Sequence, residues 1–370
     1  MKTLLLGDIS PTAVNAPLFQ EQNIPILFCD TVEMFQDRDF IFVNLECALT
    51  NSENQISKFG PHLKAPKETA RVLKTLGVDC CGLSNNHVFD YGIEGIEDTL
   101  KELEDASIDY TGFGKDYEDS RKNYTVERNG EKICIIAVCE HEYSYALEDR
   151  MGSRPYDEYD TMEDIQNAKK THDRVIVIYH GGKEYCQYPS PRLRKLCRAM
   201  AKNGADVILC QHSHCIGVYE QYEDCHILYG QGNFHFVKPN KNRETWHTSL
   251  AVEYDTVSHK ISFVPLRAGE VGIALAKGED GAAILKAFAE RSQKLESGEW
   301  RQEWHDFCQE TKEIYIKAIH RACLEDSTEQ ENGRFSHYLD CEAHTDVWRE
   351  LFPSYNLTNE KEMEKSQWSF

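Results

Sequence analysis

The chain is 370 residues long, with 41% hydrophobic and 28% charged residues, a composition that can bury a sizeable core and excludes wholesale disorder or a collagen-like fibre. Its 41 lysines and arginines stand against 62 aspartates and glutamates, a formal charge of −21 that repels nucleic-acid phosphates and anionic lipid. No basic patch stands out, so nucleic acid is not an expected partner.

In chain order, the first two-thirds alternates short apolar runs with helical patterns, which reads as an α/β domain. Strands are predicted over residues 2–7, 40–44, 78–83, 132–138, 174–179, 205–210 and 225–229. Helices are predicted over 67–76, 93–105, 162–170 and 191–203, the first and last stopping at Gly77 and Gly204. Asn129-Gly130 between two alternating runs signals a hairpin, and 248–265 reads as another antiparallel pair, so the sheet is expected to be mixed. Helical spacing then resumes over 282–294 and 300–324, followed by a polar, acidic stretch and a loosely ordered tail at 356–370. The expected division is a domain over 1–275 and a helical extension over 276–370. That extension carries no recognisable chemistry; Trp300, Trp304 and Phe307 form a stripe suited to packing or an oligomer contact.

No stretch reaches the roughly 20 apolar residues of a membrane span, and Asp8 interrupts the opening run before a signal-peptide core can form. The 14 cysteines include several in apolar runs and no Cys-x-x-Cys pair. They read as reduced core thiols, which implies a soluble, cytoplasmic protein.

Histidines, acids and glycines gather where the predicted strands end, the rim on which α/β sheets bind ligands. Asp8 follows the first apolar run, and Glu46 closes Asn44-Leu45-Glu46 after the second. Taken singly, Asp8 is equally an N-cap residue and Glu46 a solvent-facing strand end. Asn85-Asn86-His87 leads into Asp90-Tyr91-Gly92, joining side-chain amides to an imidazole. His180-Gly181-Gly182-Lys183-Glu184 ends a buried strand, where the glycines let backbone approach closely. His212 and His214, two apart in an extended segment, would point the same way. Together these groups offer the mixed oxygen and nitrogen ligands of zinc, manganese or iron, and a carboxylate such as Glu46 commonly bridges paired ions. The cluster reads as a dinuclear hydrolytic site. The segment Lys58-Phe59-Gly60-Pro61-His62 is a candidate flap, with His62 a candidate substrate contact, and Asn233 is read as fixing a turn.

These motifs, with Leu228-Tyr229-Gly230-Gln231-Gly232-Asn233-Phe234, resemble in order and content the calcineurin-like metallophosphoesterase superfamily, and within it the CapA (poly-γ-glutamate capsule synthesis protein) family, over about residues 1–236. The resemblance implies a four-layer α/β/β/α sandwich with divalent metal at the rim where two mixed sheets meet. It implies that Asp8 and His214 hold one ion and Asn86, His180 and His212 the other, with Glu46 between them. His87 would donate a proton, from a pKa near neutrality, under the orientation of Asp90. The implied activity is metal-dependent hydrolysis of a phosphoester or an amide-linked acidic polymer, with Lys183 and Glu184 touching substrate. The alternative is a non-catalytic subunit of a polymer-synthesis assembly. Two departures from the superfamily pattern are Ser10, where a histidine is usual, and Gly181, where relatives carry tryptophan; the latter is expected to open the site.

Overall fold

Alternation of apolar side chains along each strand sends neighbouring residues to opposite faces, and two cores per sheet follow from it. The computed structural model describes residues 1–140 and 142–353; the tail expected at 356–370 lies outside them. The first sheet opens with Lys2–Ile9 (β1), Phe40–Leu45 (β2), Cys80–Gly82 (β3) and Asp109–Thr111 (β4), all mutually parallel. The second contains Tyr124–Arg128 (β5), Glu131–Cys139 (β6), Arg174–His180 (β7), Val207–Gln211 (β8), Tyr219–Tyr222 (β9) and Cys225–Leu228 (β10), in spatial order β9-β10-β8-β7-β6-β5. The chain then returns to the first sheet with Asn233–His235 (β11), Thr248–Asp255 (β12), Lys260–Ala268 (β13) and Ile273–Leu275 (β14). Its order is β14-β13-β12-β1-β2-β3-β4, with β11 parallel to the end of β1. Both sheets are mixed, as the hairpin and strand-pair signals predict.

Three apolar layers define the architecture. Leu5, Phe40 and Phe42 of the first sheet meet Ile133, Ile135, Ile176, Ile178, Val207 and Leu209 of the second in a central core. Their sequence neighbours Leu4, Leu6, Ile41 and Val43 face outward, against Phe28 of Ile24–Phe28, Leu73 of Thr69–Thr75, and Ile96 and Leu103 of Gly92–Asp105. On the far side, Ile136, Val138, Val175 and Val177 are covered by Ile165 of Glu158–Lys169 and by Leu193, Cys197 and Met200 of Pro191–Lys202. The result is a helix–sheet–sheet–helix sandwich. The helix predicted over 162–170 starts earlier, at Glu158, because Asp157 accepts from two backbone N–H groups at 2.9 Å and nucleates a polar first turn without an apolar signal.

Beyond residue 276 the expected helices appear as Gly278–Ser297 (α1) and Trp300–Ala322 (α2). The polar stretch after them is not irregular: it forms Glu329–Asp340 (α3) and Glu342–Leu351 (α4). Thr328 and Glu331 close a capping box at the start of α3, so a nearly all-polar first turn is still helical. Trp304, Tyr315, Tyr338, Val347 and Leu351 join Cys186 of the sandwich in a fourth apolar cluster, and Phe59 packs on it. Arg192 pins this layer, with Nε 2.9 Å from Asp346 on α4 and Nη2 2.8 Å from Glu140 after β6. Among the described residues, no helix is long and apolar enough to cross a membrane.

His235, fully buried against Phe19 and Phe28 with Nε2 3.0 Å from the Leu27 carbonyl, is a core histidine. Burial pushes its pKa down to about 4 from 6.5. The folded state therefore resists protonation that the unfolded chain accepts, so His235 reduces stability as pH falls from 6.5 towards 4. Urea unfolding across that window is expected to show a steeper loss for the wild type than for His235→Gln, by up to about 1.4 kcal/mol per pH unit. Parallel pH profiles would refute this.

Candidate metal centre

The parallel strands end at one rim, and the chemistry-bearing loops follow them directly. Asp8 is the penultimate residue of β1, opposite Asn44 of β2 just after a break in register. Gly7 permits this, because a Cβ there would sit 2.3 Å from the Gly232 carbonyl oxygen. Asn44 donates Nδ2–H to Asp8 Oδ1 at 2.7 Å and stands 3.2 Å from His180 Nδ1, at the end of β7. Asn85 fixes the loop after β3, donating to the Leu45 carbonyl at 2.9 Å and accepting from the His87 and Val88 amides at 3.1 and 3.0 Å. This places Asn86 Oδ1 2.8 Å from His180 Nε2.

Glu46 sits among these groups. It is fully buried, and among the described residues neither carboxylate oxygen has a hydrogen-bond partner. His180 Nε2 lies 3.4 Å from Oε1. Possible ligand atoms fall into two groups, Asp8 with Glu46 and His180, and Glu46 with His212 and His214, each within 4.8 Å. Glu46 belongs to both, and His214 Nδ1 is also 3.7 Å from Asp8. Burial, reinforced by Asp8, pushes the Glu46 carboxyl well above the usual range; burial likewise raises Asp8 against the pull of His180 and Asn44. A dry carboxylate pair costs several kcal/mol per charge unless it is compensated, and an ion-ligating set of oxygens and imidazoles supplies the missing partner. The residues present thus fit a divalent metal.

His212 and His214 converge for a different reason than expected. The strand ends at Gln211, and both histidines adopt left-handed backbone with φ of 76° and 53°. The segment is a strained turn, not an extended one, and its ring centroids stand 5.8 Å apart. Each such residue costs on the order of 1–3 kcal/mol, which surrounding contacts must offset. His212 N–H donates to Asp8 at 3.2 Å, and Asn233 Oδ1 accepts from His214 Nδ1 at 2.8 Å. Asn233 therefore orients a candidate ligand rather than fixing a turn.

His87 Nδ1 is 2.6 Å from Asp90 Oδ2, the pairing the sequence suggests, and the Lys58 ammonium makes an ion pair with the same aspartate. Burial, together with Lys58, lowers the His87 pKa to about 4, so the imidazole is neutral at pH 7 and the expected near-neutral donor is not what the surroundings create. Gly181 also differs from expectation. A Cβ there would meet Glu140 Cγ at 2.4 Å, so the place of a bulky side chain is filled by Glu140 and the site is not opened.

Above the rim lies a cavity of about 350 Å³ lined by Lys58, Lys183, Lys238, Lys241, Glu184, His87, His212 and His214, among others. Lys58 is paired with Asp90, but Lys183, Lys238 and Lys241 against Glu184 leave a small local excess of cations that the overall charge conceals. Its traceable signal is Lys238-Pro-Asn-Lys241-Asn-Arg243, a cationic run in an acidic chain. Burial tends to raise Glu184, but Lys183 and His214 outweigh it and hold the carboxyl low. Phe59, Gly60 and Pro61 line the cavity as a flap would, whereas His62 does not and bonds through Nε2 to the Ile56 carbonyl at 2.7 Å. The extension contributes too: His337, Tyr338, Ala343 and His344 line the same cavity.

Comparison with known proteins fits this geometry. The family model described as bacterial capsule synthesis protein PGA_cap matches residues 2–238. The chain belongs to the PGA_cap family. The PGA biosynthesis protein CapA of Bacillus subtilis is 31% identical over 62% of this chain, and the capsule biosynthesis protein CapA of Bacillus anthracis 33% identical over 63%. The alignments span 62% and 59% of those relatives' own lengths. A Mycobacterium tuberculosis protein named a probable polyglutamine synthesis accessory protein is 25% identical over 65% of the chain. Among solved structures, a hypothetical protein from Thermus thermophilus aligns with 73% of this chain and 100% of its own, at 14% identity and a TM-score of 0.44. The fold assignment rests on the sheets and cores of this PGA_cap chain itself.

Substituting Gly181→Ala should displace the Glu140 carboxylate from Arg192 and destabilise the protein by about 1–3 kcal/mol in urea unfolding. A change within about 0.5 kcal/mol would show that Glu140 yields freely and that the close approach has no energetic weight.

Proposed function

We propose that this PGA_cap member is a metal-dependent hydrolase of anionic substrates, phosphoesterase-like or acting on an amide-linked acidic polymer, with one or two ions of manganese, zinc or iron. The observation that carries this reading is Glu46: a fully buried carboxylate whose two oxygens lack hydrogen-bond partners among the described residues, surrounded by Asp8, His180, His212 and His214. Asp8, Glu46, Asn86, His180, His212 and His214 would hold the metal. When bound, the ions supply Lewis acidity, lowering the pKa of a coordinated water and neutralising charge on the attacked group.

The chain's own residues supply the rest. Lys183, Lys238 and Lys241 draw an anionic group into the cavity, and Glu184 biases its orientation by repulsion. Asp90 engages His87 Nδ1 and leaves Nε2 as the position that exchanges a proton with substrate. Because burial and Lys58 hold the His87 pKa at about 4, the imidazole is neutral at pH 7, and its Nε2 would first accept the proton that the attacking water releases and then return it to the leaving group. Substrate is a small molecule or the accessible part of an acidic polymer. The cysteines form no disulfide among the described residues, which supports a reducing, cytoplasmic setting. The second reading, a non-catalytic partner in a polymer-synthesis complex, draws on the name of the mycobacterial relative.

The test is metal analysis of the purified chain, followed by turnover of a chromogenic phosphodiester and of poly-γ-glutamate with added manganese. His212→Ala is expected to lose metal and turnover together. His87→Gln should retain metal and lower turnover by about 10²–10⁴-fold. Tight metal binding without hydrolysis of either substrate would establish the accessory reading, and equal activity of both variants with the parent would overturn the mechanism.

A further inference from the structure

Exposed lysines on several helices of this acidic chain sit beside acids: Lys101 meets Asp105, Lys286 meets Glu290 and Lys317 meets Glu313, each four residues apart. The helix Pro191–Lys202 breaks that pattern. It holds Arg192, Arg194, Lys195, Arg198 and Lys202 and no acid, so the expectation of no basic patch fails here. Arg192 turns to Asp346 and Glu140. Arg194, Arg198 and Lys202 follow one another at spacings of four, which stacks like charges on one face over about 12 Å. Like charges so placed oppose a helix, and a bound anion relieves that opposition.

Lys195 adds to the row, and Arg301 joins it from the start of α2. These five cations line one groove of about 440 Å³, with no acid among its lining residues. Buried Glu220 is shared by two of them, with Arg198 Nε 3.1 Å from Oε1 and Arg194 Nη2 3.3 Å from Oε2. Lys195, Lys202 and Arg301 are exposed and make no ion pair among the described residues. Two aromatic rings hold the cations in place. Arg194 and Arg301 lie over Trp300 at 5.0 and 5.4 Å, and Arg198 and Lys202 over Tyr222 at 4.5 and 5.8 Å. Such stacking orders the side chains before an anion arrives and lowers the entropic cost of binding.

The shape of the patch selects the anion. One phosphate or carboxylate needs donors that converge on a point, whereas these are strung along a row. About 12 Å is the reach of some four residues of an extended chain. A nucleic-acid duplex brings one charge per about 1.7 Å against the field of a protein of −21, and a polycarboxylate with more widely spaced charges is repelled less. The helix follows β7, so it begins at the rim, where its N-cap Ser190 bonds Asp346 of α4 at 2.5 Å.

We propose that the outer face of Pro191–Lys202, together with Arg301, is a docking groove for an extended polycarboxylate chain, separate from the metal centre. The proposal concerns binding and does not require the hydrolytic reading.

Fluorescence anisotropy of labelled poly-γ-glutamate with the purified full chain tests it. The parent is expected to bind at low salt and to weaken progressively between about 50 and 200 mM salt. Lys195→Glu/Lys202→Glu/Arg301→Glu should bind about 10-fold more weakly with its circular dichroism unchanged, because all three side chains are exposed. Should that variant unfold earlier in urea, Lys195→Gln/Lys202→Gln takes its place, with an expected loss of about threefold. Lys101→Glu/Lys260→Glu/Lys286→Glu, exposed outside the groove, makes the same change in net charge and should bind like the parent. His212→Ala should also bind like the parent, so absent hydrolysis with groove-dependent binding intact would overturn the proposed function alone. Free glutamate at the same residue concentration should not displace the polymer. Equal binding by the parent and the groove variants, an equal loss in the control variant, loss of binding in His212→Ala, displacement by free glutamate, or equally tight binding of single-stranded oligothymidylate would each overturn the groove.

Discussion

Two carboxylates brought out of water within one rim set the terms for the rest of this structure. Asp8 and Glu46 are both fully buried, and like charges held close in a low dielectric repel strongly. Nearby hydrogen bonds settle Asp8, through Asn44 and the His212 amide, but among the described residues none reaches Glu46. The surrounding architecture holds this unfavourable arrangement in place. Two sheets deliver β1, β2, β7 and β8 to one edge, Gly7 allows close approach to the Gly232 carbonyl, and a turn with two left-handed histidines is tolerated. Such concentrated cost at one location is what packing alone would avoid, and it is compatible with a bound cation.

Net charge and local field separate in this protein. A total of −21 governs solubility and long-range encounter, yet charges more than about 8 Å apart on the surface are largely screened at physiological salt. Within the cavity, Lys58, Lys183, Lys238 and Lys241 act at short range and through partly desolvated space. The local term counts most there, so an acidic protein gathers lysines around one cavity. Lys238 shows the strain of this arrangement, its pKa lowered by burial and by Lys241.

The C-terminal helices are part of the cavity rather than an appendage beside it. Phe59 of the flap meets His337 and Tyr338 at ring distances of 5.8 and 6.2 Å, so segments from the two ends of the fold complete one wall. Arg192 couples this wall to the sandwich by joining Asp346 of α4 to Glu140, the same carboxylate that occupies the space beside Gly181. Burial pushes the Asp346 carboxyl up to about 6 even with Arg192 beside it, a sign that this junction is dry.

The sequence by itself determined the elements and their punctuation. Alternating apolar residues marked the strands, and polar residues at their ends marked the rim, because both patterns arise from backbone geometry and near neighbours in the chain. Glu46, His180, His212 and His214 were legible as a set for that reason. What occupies the space beside each residue was decided only by tertiary structure. Glu140 lies 41 positions from Gly181, Lys58 lies 29 from His87, and Asn233 lies 19 from His214, yet these neighbours set the local sterics, proton affinity and orientation. The polar first turn of α3 left no apolar signal to read, whereas Ala343, Val347 and Leu351 give α4 a short apolar period; the place of both helices over the cavity depends on packing against Cys186 and Phe59. Composition and spacing fix which groups can react; desolvation and contact across the fold fix which of them meet and in what ionisation state.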